Sequence, residues 1–172
     1  MEQELLKKRK QLKQDLSWIG FADEDNGEYY CTPVGAKIIG WDNGIHYCFV
    51  EGFGETVFAV NPENYCGREV YPVAKNLYDF FSLILATKNT NVIHQVISWD
   101  KRDYDEFMAS PDTVEYNAKR EVTEALEAIR TELGVSEMQN PFEYIKEIQK
   151  DFPYSKIKFS DEYYEVSGIE KP

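Results

Sequence analysis

Four side chains of this 172-residue chain are the candidates for a zinc site: His46, one of its two histidines, and its three cysteines. His46 and Cys48 are two residues apart in a predicted strand, so both project from the same face of it. Zinc takes nitrogen and sulfur ligands in tetrahedral geometry, and Cys31 or Cys66 could complete such a set. Structural zinc sites usually present paired ligands on a tight turn, so we instead expect packing residues here and no metal.

The same residues are poor candidates for nucleophilic catalysis. Residues at i and i+2 on one strand lie roughly 6–7 Å apart, too far for His46 and Cys48 to share a hydrogen bond easily. Cys66 is a better candidate thiol, because Arg68 is close in sequence and a cation lowers a thiol pKa; the alternative is an ordinary loop cysteine. The cysteine spacing fits neither a disulfide framework nor a CxxC metal motif. We therefore predict reduced thiols, no catalytic residue and no cofactor.

The residues around His46 and Cys48 predict an antiparallel β-meander. Asn43 and Gly44 occupy the centre of a two-residue hairpin turn, where positive φ is required. Side chains alternate along the second strand, so its residues divide between two covered faces of the sheet. One set is Ile45, Tyr47 and Phe49, and the other is His46, Cys48 and Val50. A third strand is expected at 56–60 and a fourth at 69–73, where Pro72 favours the sheet edge.

The chain after residue 74 is predicted to be mostly helical. Capping residues mark the helix starts, and apolar residues follow them at helical spacing. The starts are Asn76, with Asp79 in a capping box; Asp100; Ser110, followed by Pro111; and Asn140, with Glu143 in a capping box. A short helix is also expected at 92–97, and the helix after Ser110 should run about 20 residues to Gly134. Residues 155–166 alternate enough to predict one or two late strands.

Strands followed by helices with short connections predict an α+β fold. We expect an antiparallel β-meander with helices packed on one face, plus a helical C-terminal extension. The length is typical of a single domain, residues 1–172, with a core of about 20–110 and an extension of about 111–172.

The charge of the chain excludes several classes of function. Its 31 Asp and Glu against 19 Lys and Arg give a net charge of −12, which repels a phosphate backbone, so we predict no nucleic-acid binding. No window approaches 18 apolar residues and no secretory signal is evident, so we expect no membrane span and a cytoplasmic location. The first 14 residues carry five bases and two acids. We expect a solvated helix with a narrow leucine stripe there, and a nucleic-acid or membrane arm is the alternative.

Three stretches of the chain, between about Ile38 and Phe107, resemble the SUKH superfamily. They are IGWDNGIHYCFVEGFGETVFAVNP, VYPVAKNLYDFFSLILA and ISWDKRDYDEF. They carry a meander with a glycine-containing turn, a closing strand, and a helix with Phe80-Phe81 where the family has its sFeeFL-type pattern. The family's usual Leu-Pro-x-x-Tyr element is missing from this sequence. The superfamily includes a yeast regulator of cell-wall glucan synthesis and many bacterial immunity proteins. The resemblance implies a non-catalytic domain that binds a protein, in bacteria typically a toxin and often a nuclease.

The distribution of charge is consistent with an acidic binding face. Residues 15–60 hold eight acids and one base, and a nuclease must present Lys and Arg that such a surface attracts. The predicted partner-binding residues are Trp41, Asp42, Tyr47, Glu51 and Glu55, with the aromatic residues as anchors. The alternative is that Trp41 and Tyr47 pack in the core or hairpin and the acids only keep the protein in solution.

The sequence as a whole favours a cytoplasmic immunity protein, not an enzyme, that binds and neutralises a basic, nuclease-like toxin. One alternative is a regulatory or scaffolding protein with several weaker partners. Another is a metal or thiol enzyme that uses Cys66, His46 and Cys48. The sequence indicates neither the identity of the partner nor the oligomeric state.

Overall fold

The computed structural model describes residues 2–23, 27–64 and 68–171. Its centre is a four-stranded antiparallel sheet in which each strand pairs with its neighbours in sequence. The strands are β1 (Lys37–Asp42), β2 (Ile45–Phe49), β3 (Val57–Val60) and β4 (Val70–Ala74). The α+β class and the meander are therefore confirmed, and β4, which contains Pro72, lies at a sheet edge as predicted.

Helices account for most of the remaining described residues. The α-helices are α1 (Glu2–Gln11), α2 (Leu77–Thr87), α3 (Thr90–Gln95), α4 (Lys101–Ala109), α5 (Pro111–Asn117), α6 (Arg120–Glu132), α7 (Pro141–Lys150) and α8 (Asp161–Ser167). Two 3₁₀ helices span Leu16–Ile19 and Tyr154–Lys156. The central helix is α2, which packs against β4 and is capped by Asn76, whose side chain accepts from the Asp79 N–H.

The sheet is covered on both faces, as the alternation of residues predicts. The larger hydrophobic cluster joins one face to α2, α3, α6 and α7, and its strand residues include Tyr47, Ala59, Tyr71 and Val73. The smaller cluster lies on the opposite face, and its strand residues are Cys48, Phe58, Val60 and Val70. The C-terminal extension covers this second face with Phe152, Ile157, Phe159 and Tyr163. The extension therefore completes the sheet's second layer.

Phe21 joins the N-terminal segment to the centre of the larger cluster. Its ring lies 5.5 Å from that of Phe80 and 5.6 Å from that of Phe81, centroid to centroid. The ring also covers the backbone of Gly40 in β1, where a Cβ would stand 2.2 Å from a ring carbon. Only glycine fits at residue 40, because any side chain would displace the Phe21 ring.

Three predictions about the helical half are wrong. The expected helix from Ser110 to Gly134 breaks at Lys119, whose ψ of 143° is extended, so that α6 turns its apolar residues inward while α5 buries none. Asn140 has a left-handed backbone, with φ of 53°, and makes no side-chain cap to α7. The expected late strands are replaced by α8, which has two acids in its first turn and ends at Gly168 with φ of 65°.

Both histidines are buried in the fold. Nε2 of His46 lies 2.9 Å from the Thr32 hydroxyl oxygen, and the two atoms share a hydrogen bond. Nδ1 of His46 has no hydrogen-bond partner among the described residues. His94 is also enclosed, again with Nδ1 unpartnered within the described part of the chain. Burial disfavours the imidazolium form and lowers the pKa of each histidine to about 4.

We expect the free energy of unfolding to fall as pH drops from about 6.5 to 4. In this range the histidines of the unfolded chain take up protons, whereas both histidines of the folded chain stay neutral. This difference lowers the free energy of unfolding by about 3 kcal/mol for each histidine. Urea unfolding at several pH values measures this slope. His94→Asn should remove about half of this pH dependence, whatever its effect on stability at pH 7. An unchanged pH dependence in the variant would contradict the lowered pKa of His94.

Gly40→Ala should destabilise the protein by about 1–3 kcal/mol, because the new methyl group overlaps the Phe21 ring. Phe21→Leu removes the ring atoms that cause the overlap, so Gly40→Ala should cost less in that background. A double-mutant cycle by urea unfolding gives the coupling free energy. Additive effects of the two substitutions would show that the steric contact does not set the requirement for glycine.

Candidate functional site

A polar cleft of about 700 Å³ lies beside the β1–β2 turn. We call it the hairpin-tip cleft. Its polar lining comes from the hairpin, the start of α3 and α5: Asp42, Asn43, Asn89, Asn91, Asp112, Thr113 and Asn117. Its aromatic lining comes from Trp41, Phe107 and Tyr116. Polar groups that converge between aromatic walls are typical of binding sites.

Local sequence signals position each wall of the cleft. The hairpin turn holds Asp42 at its end, with φ of 45° at Asn43 and 139° at Gly44, as the Asn-Gly pair requires. Asn89 caps α3 by accepting from the Asn91 N–H, 2.8 Å away. Ser110 caps α5 by accepting from the Thr113 N–H, and Pro111 follows at the first helical position.

Gly20 and Asp42 line the cleft, and their acceptor oxygens share one donor that is buried behind the lining. The Thr90 hydroxyl oxygen lies 2.6 Å from the Gly20 carbonyl oxygen and 2.8 Å from Oδ2 of Asp42. A hydroxyl has one proton, so it donates fully to only one of these two acceptors. Desolvation raises the pKa of Asp42, and the Thr90 hydrogen bond opposes this rise only in part.

Gly20 allows this close arrangement. Its φ of 75° is left-handed, and a Cβ there would stand 2.1 Å from the Thr90 hydroxyl oxygen and 2.7 Å from Oδ2 of Asp42. Any other residue would push the Asp42 carboxylate or the Thr90 side chain away. The glycine thus brings a backbone carbonyl, a hydroxyl and a carboxylate together.

Tyr116 forms the outer wall of the cleft. Its hydroxyl donates to the Trp18 carbonyl oxygen, 2.8 Å away, which ties α5 to the first 3₁₀ helix. Burial and then the charge of Asp42 raise the pKa of Tyr116, so the phenol stays protonated at neutral pH. The Lys119 ammonium lies 4.7 Å from the Tyr116 ring centroid but does not line the cleft.

The cleft is negatively charged. Asp42 and Asp112 are its carboxylates, and no lysine or arginine is among the described residues that line it. Asp42 is half-buried, and Asp112 is exposed and forms no ion pair within the described ranges. The cleft is therefore suited chemically to a positively charged ligand that donates hydrogen bonds.

The five predicted partner-binding residues do not form one surface. Trp41 and Asp42 line the cleft, although Trp41 is only 4% exposed. Tyr47 is fully buried and donates to the Thr90 carbonyl oxygen, so it is a core residue, which was the alternative interpretation. Glu51 and Glu55 are exposed, but they lie beyond the other end of β2, roughly 13 Å or more from the hairpin tip.

Those candidate thiol and metal residues that the structure describes are not arranged for chemistry. Among the described residues, no group of three or more His, Cys, Asp or Glu could hold a metal ion. Cys31 and Cys48 are buried; burial raises the pKa of Cys31 to about 12 and that of Cys48 further, so both are protonated at neutral pH. Cys66 lies outside the described residues.

Residues of α3 and α5 in the cleft were missed by sequence reasoning. One usable signal is present, since residues 100–117 hold six acids and two bases. Thr90 had no such signal, because its partners Gly20 and Asp42 are 70 and 48 positions away.

A second groove, of about 910 Å³, lies between α1 and the outer edge of β1. Lys7, Lys10 and Lys37 line it together with Glu28 and the ion-paired Arg9 and Asp23. Because cationic side chains dominate there, this groove does not suit a basic partner.

Comparison of the chain with protein-family models, curated proteins and solved structures finds no match in any of the three. Within the described part of the chain, the helices are too short or too polar to cross a membrane.

Asp42→Asn should stabilise the free protein at pH 7 by about 0.5–1.5 kcal/mol. The amide can donate to the Thr90 hydroxyl, which then donates to the Gly20 carbonyl, so every group has a partner. Urea unfolding measures the gain, which should vanish in a Thr90→Val background. A loss of stability in the single variant would show that the carboxylate is already well satisfied.

Proposed function

We propose that this chain is a cytoplasmic, non-catalytic protein-binding domain of SUKH type, an immunity protein that neutralises a basic, nuclease-like toxin. The observation that carries the proposal is the hairpin-tip cleft, where Asp42 and Asp112 face a cavity with aromatic walls and no basic lining residue among those described. An α+β meander with helices on one face agrees with the resemblance from which the proposal began.

Electrostatics support a basic partner. The net charge of −12 attracts a cationic protein over distances of up to about a Debye length and accelerates association. A nuclease needs exposed Lys and Arg to hold the phosphate backbone, so an inhibitor that occupies those side chains blocks its substrate. The cleft contributes the short-range contacts that general attraction does not supply.

The chemistry of the chain gives less support to an enzyme. The two described thiols are buried and protonated at neutral pH, and the buried histidines have pKa values of about 4. The buried thiols lack the solvent access and the thiolate form that nucleophilic attack requires, and imidazoles with such a low pKa are weak bases for general-base catalysis.

We expect the chain to restore growth of bacteria that produce its toxin. The panel should consist of basic nuclease toxin domains, including any encoded beside its gene. The double variant Asp42→Asn/Asp112→Asn should bind the toxin at least about tenfold more weakly and protect less. Glu165→Gln/Glu170→Gln removes the same two charges from exposed sites on or after α8 and should protect normally.

Failure to bind or neutralise any toxin in the panel, including a neighbouring one, would contradict the immunity function. Roughly micromolar binding to several unrelated basic proteins, without protection, would instead support the scaffolding alternative. Calorimetry on the purified full chain separates these outcomes from effects on expression.

A further inference from the structure

We infer that the hairpin-tip cleft receives a single arginine side chain of the partner, an inference that rests on the proposed basic partner and specifies what that partner presents. The cleft's volume of about 700 Å³ accommodates a long side chain together with part of its flanking backbone.

The Gly20 carbonyl and the Asp42 carboxylate, whose residues line the cleft, together require a second donor. One Thr90 proton lies between the Gly20 carbonyl and the Asp42 carboxylate, so an acceptor there is incompletely satisfied. A ligand that accepts hydrogen bonds would add to this excess of acceptors. A guanidinium has five N–H donors and no acceptor, so it can pair with Asp42 and leave the Thr90 proton to Gly20.

The walls of the cleft favour a planar cation. Phe107 and Tyr116, both partly exposed, supply aromatic surface on which a guanidinium stacks while its edge donates hydrogen bonds. An ammonium is a compact, strongly hydrated charge that cannot donate along a plane in this way. The aromatic walls therefore favour arginine over lysine.

The rim supplies further acceptors at different positions. Asp112 lies on α5, whereas Asp42 lies at the end of β1. A forked donor can therefore bind carboxylates from two different elements. The side-chain carbonyls of Asn43 and Asn117 line the same cleft and form no hydrogen bond within the described ranges that would occupy them. Lys119, the cation nearest Tyr116, lies outside the lining and does not occupy this position.

The test is an NMR titration of the full chain with N-acetyl-arginine methylamide. We expect a dissociation constant of roughly 1–10 mM and shifts confined to the side-chain amides of Asn43, Asn89, Asn91 and Asn117. The citrulline analogue has the same shape without the charge and should not bind measurably. The lysine analogue should bind at least about fivefold more weakly than arginine.

Two protein variants complete the test. Asp42→Asn should weaken arginine binding about tenfold or more, and Asp112→Asn, at an exposed site, should weaken it with little effect on folding. Glu165→Gln is the control and should leave binding unchanged. Equal binding of the arginine and lysine analogues, or shifts spread over the whole acidic surface, would overturn the inference.

These outcomes are separable from those for the proposed function. If the toxin binds Asp42→Asn as tightly as the unmodified chain, the arginine inference fails while the immunity function stands. If the arginine analogue binds in the cleft but no toxin is neutralised, the inference about the cleft stands and the proposed function fails.

Discussion

The packing of Phe21 is the contact on which the arrangement of the other elements depends. Its ring lies over Gly40, against Phe80 and Phe81 of α2, and beneath the Arg9 guanidinium, 4.8 Å from the ring centroid. The adjacent residues are positioned by this contact: Ala22 pairs with Trp41 beside β1, and Gly20 directs its carbonyl to Thr90. A buried aromatic contact thus sets the geometry of a polar cleft.

The cleft illustrates how a proposed binding site conflicts with stability. Folding usually satisfies buried polar groups, yet the Gly20, Asp42 and Thr90 cluster has two acceptors for one proton, and Asp42 is half-buried without a described cation. This arrangement disfavours the free protein and favours any partner that supplies the missing donors. Residues that bind a partner through unsatisfied acceptors are therefore expected to lower the stability of the free protein.

Local signals made much of the fold predictable. The Asn43-Gly44 turn, the Asn76 cap and the Ser110-Pro111 helix start each depend on a few adjacent residues, and each lies where predicted. Predictions failed where tertiary contacts decide the outcome, as at Lys119, where the chain bends so that α6 meets the core. The cleft was only half predictable, because Asp42 lies in a recognisable turn while Thr90 and Tyr116 join it through contacts distant in sequence.

The layer that covers the second face of the sheet has a consequence for biosynthesis. β4 ends at Ala74, whereas the first residue of the extension that covers this face is Phe152, so about 80 residues separate them. At translation rates of about 5–20 residues per second, the ribosome needs roughly 4–16 s to add these residues. During that time Phe58 has the ring of Phe53 against it but lacks that of Phe152, so this face stays partly exposed in any sheet that has already formed and offers apolar surface to chaperones.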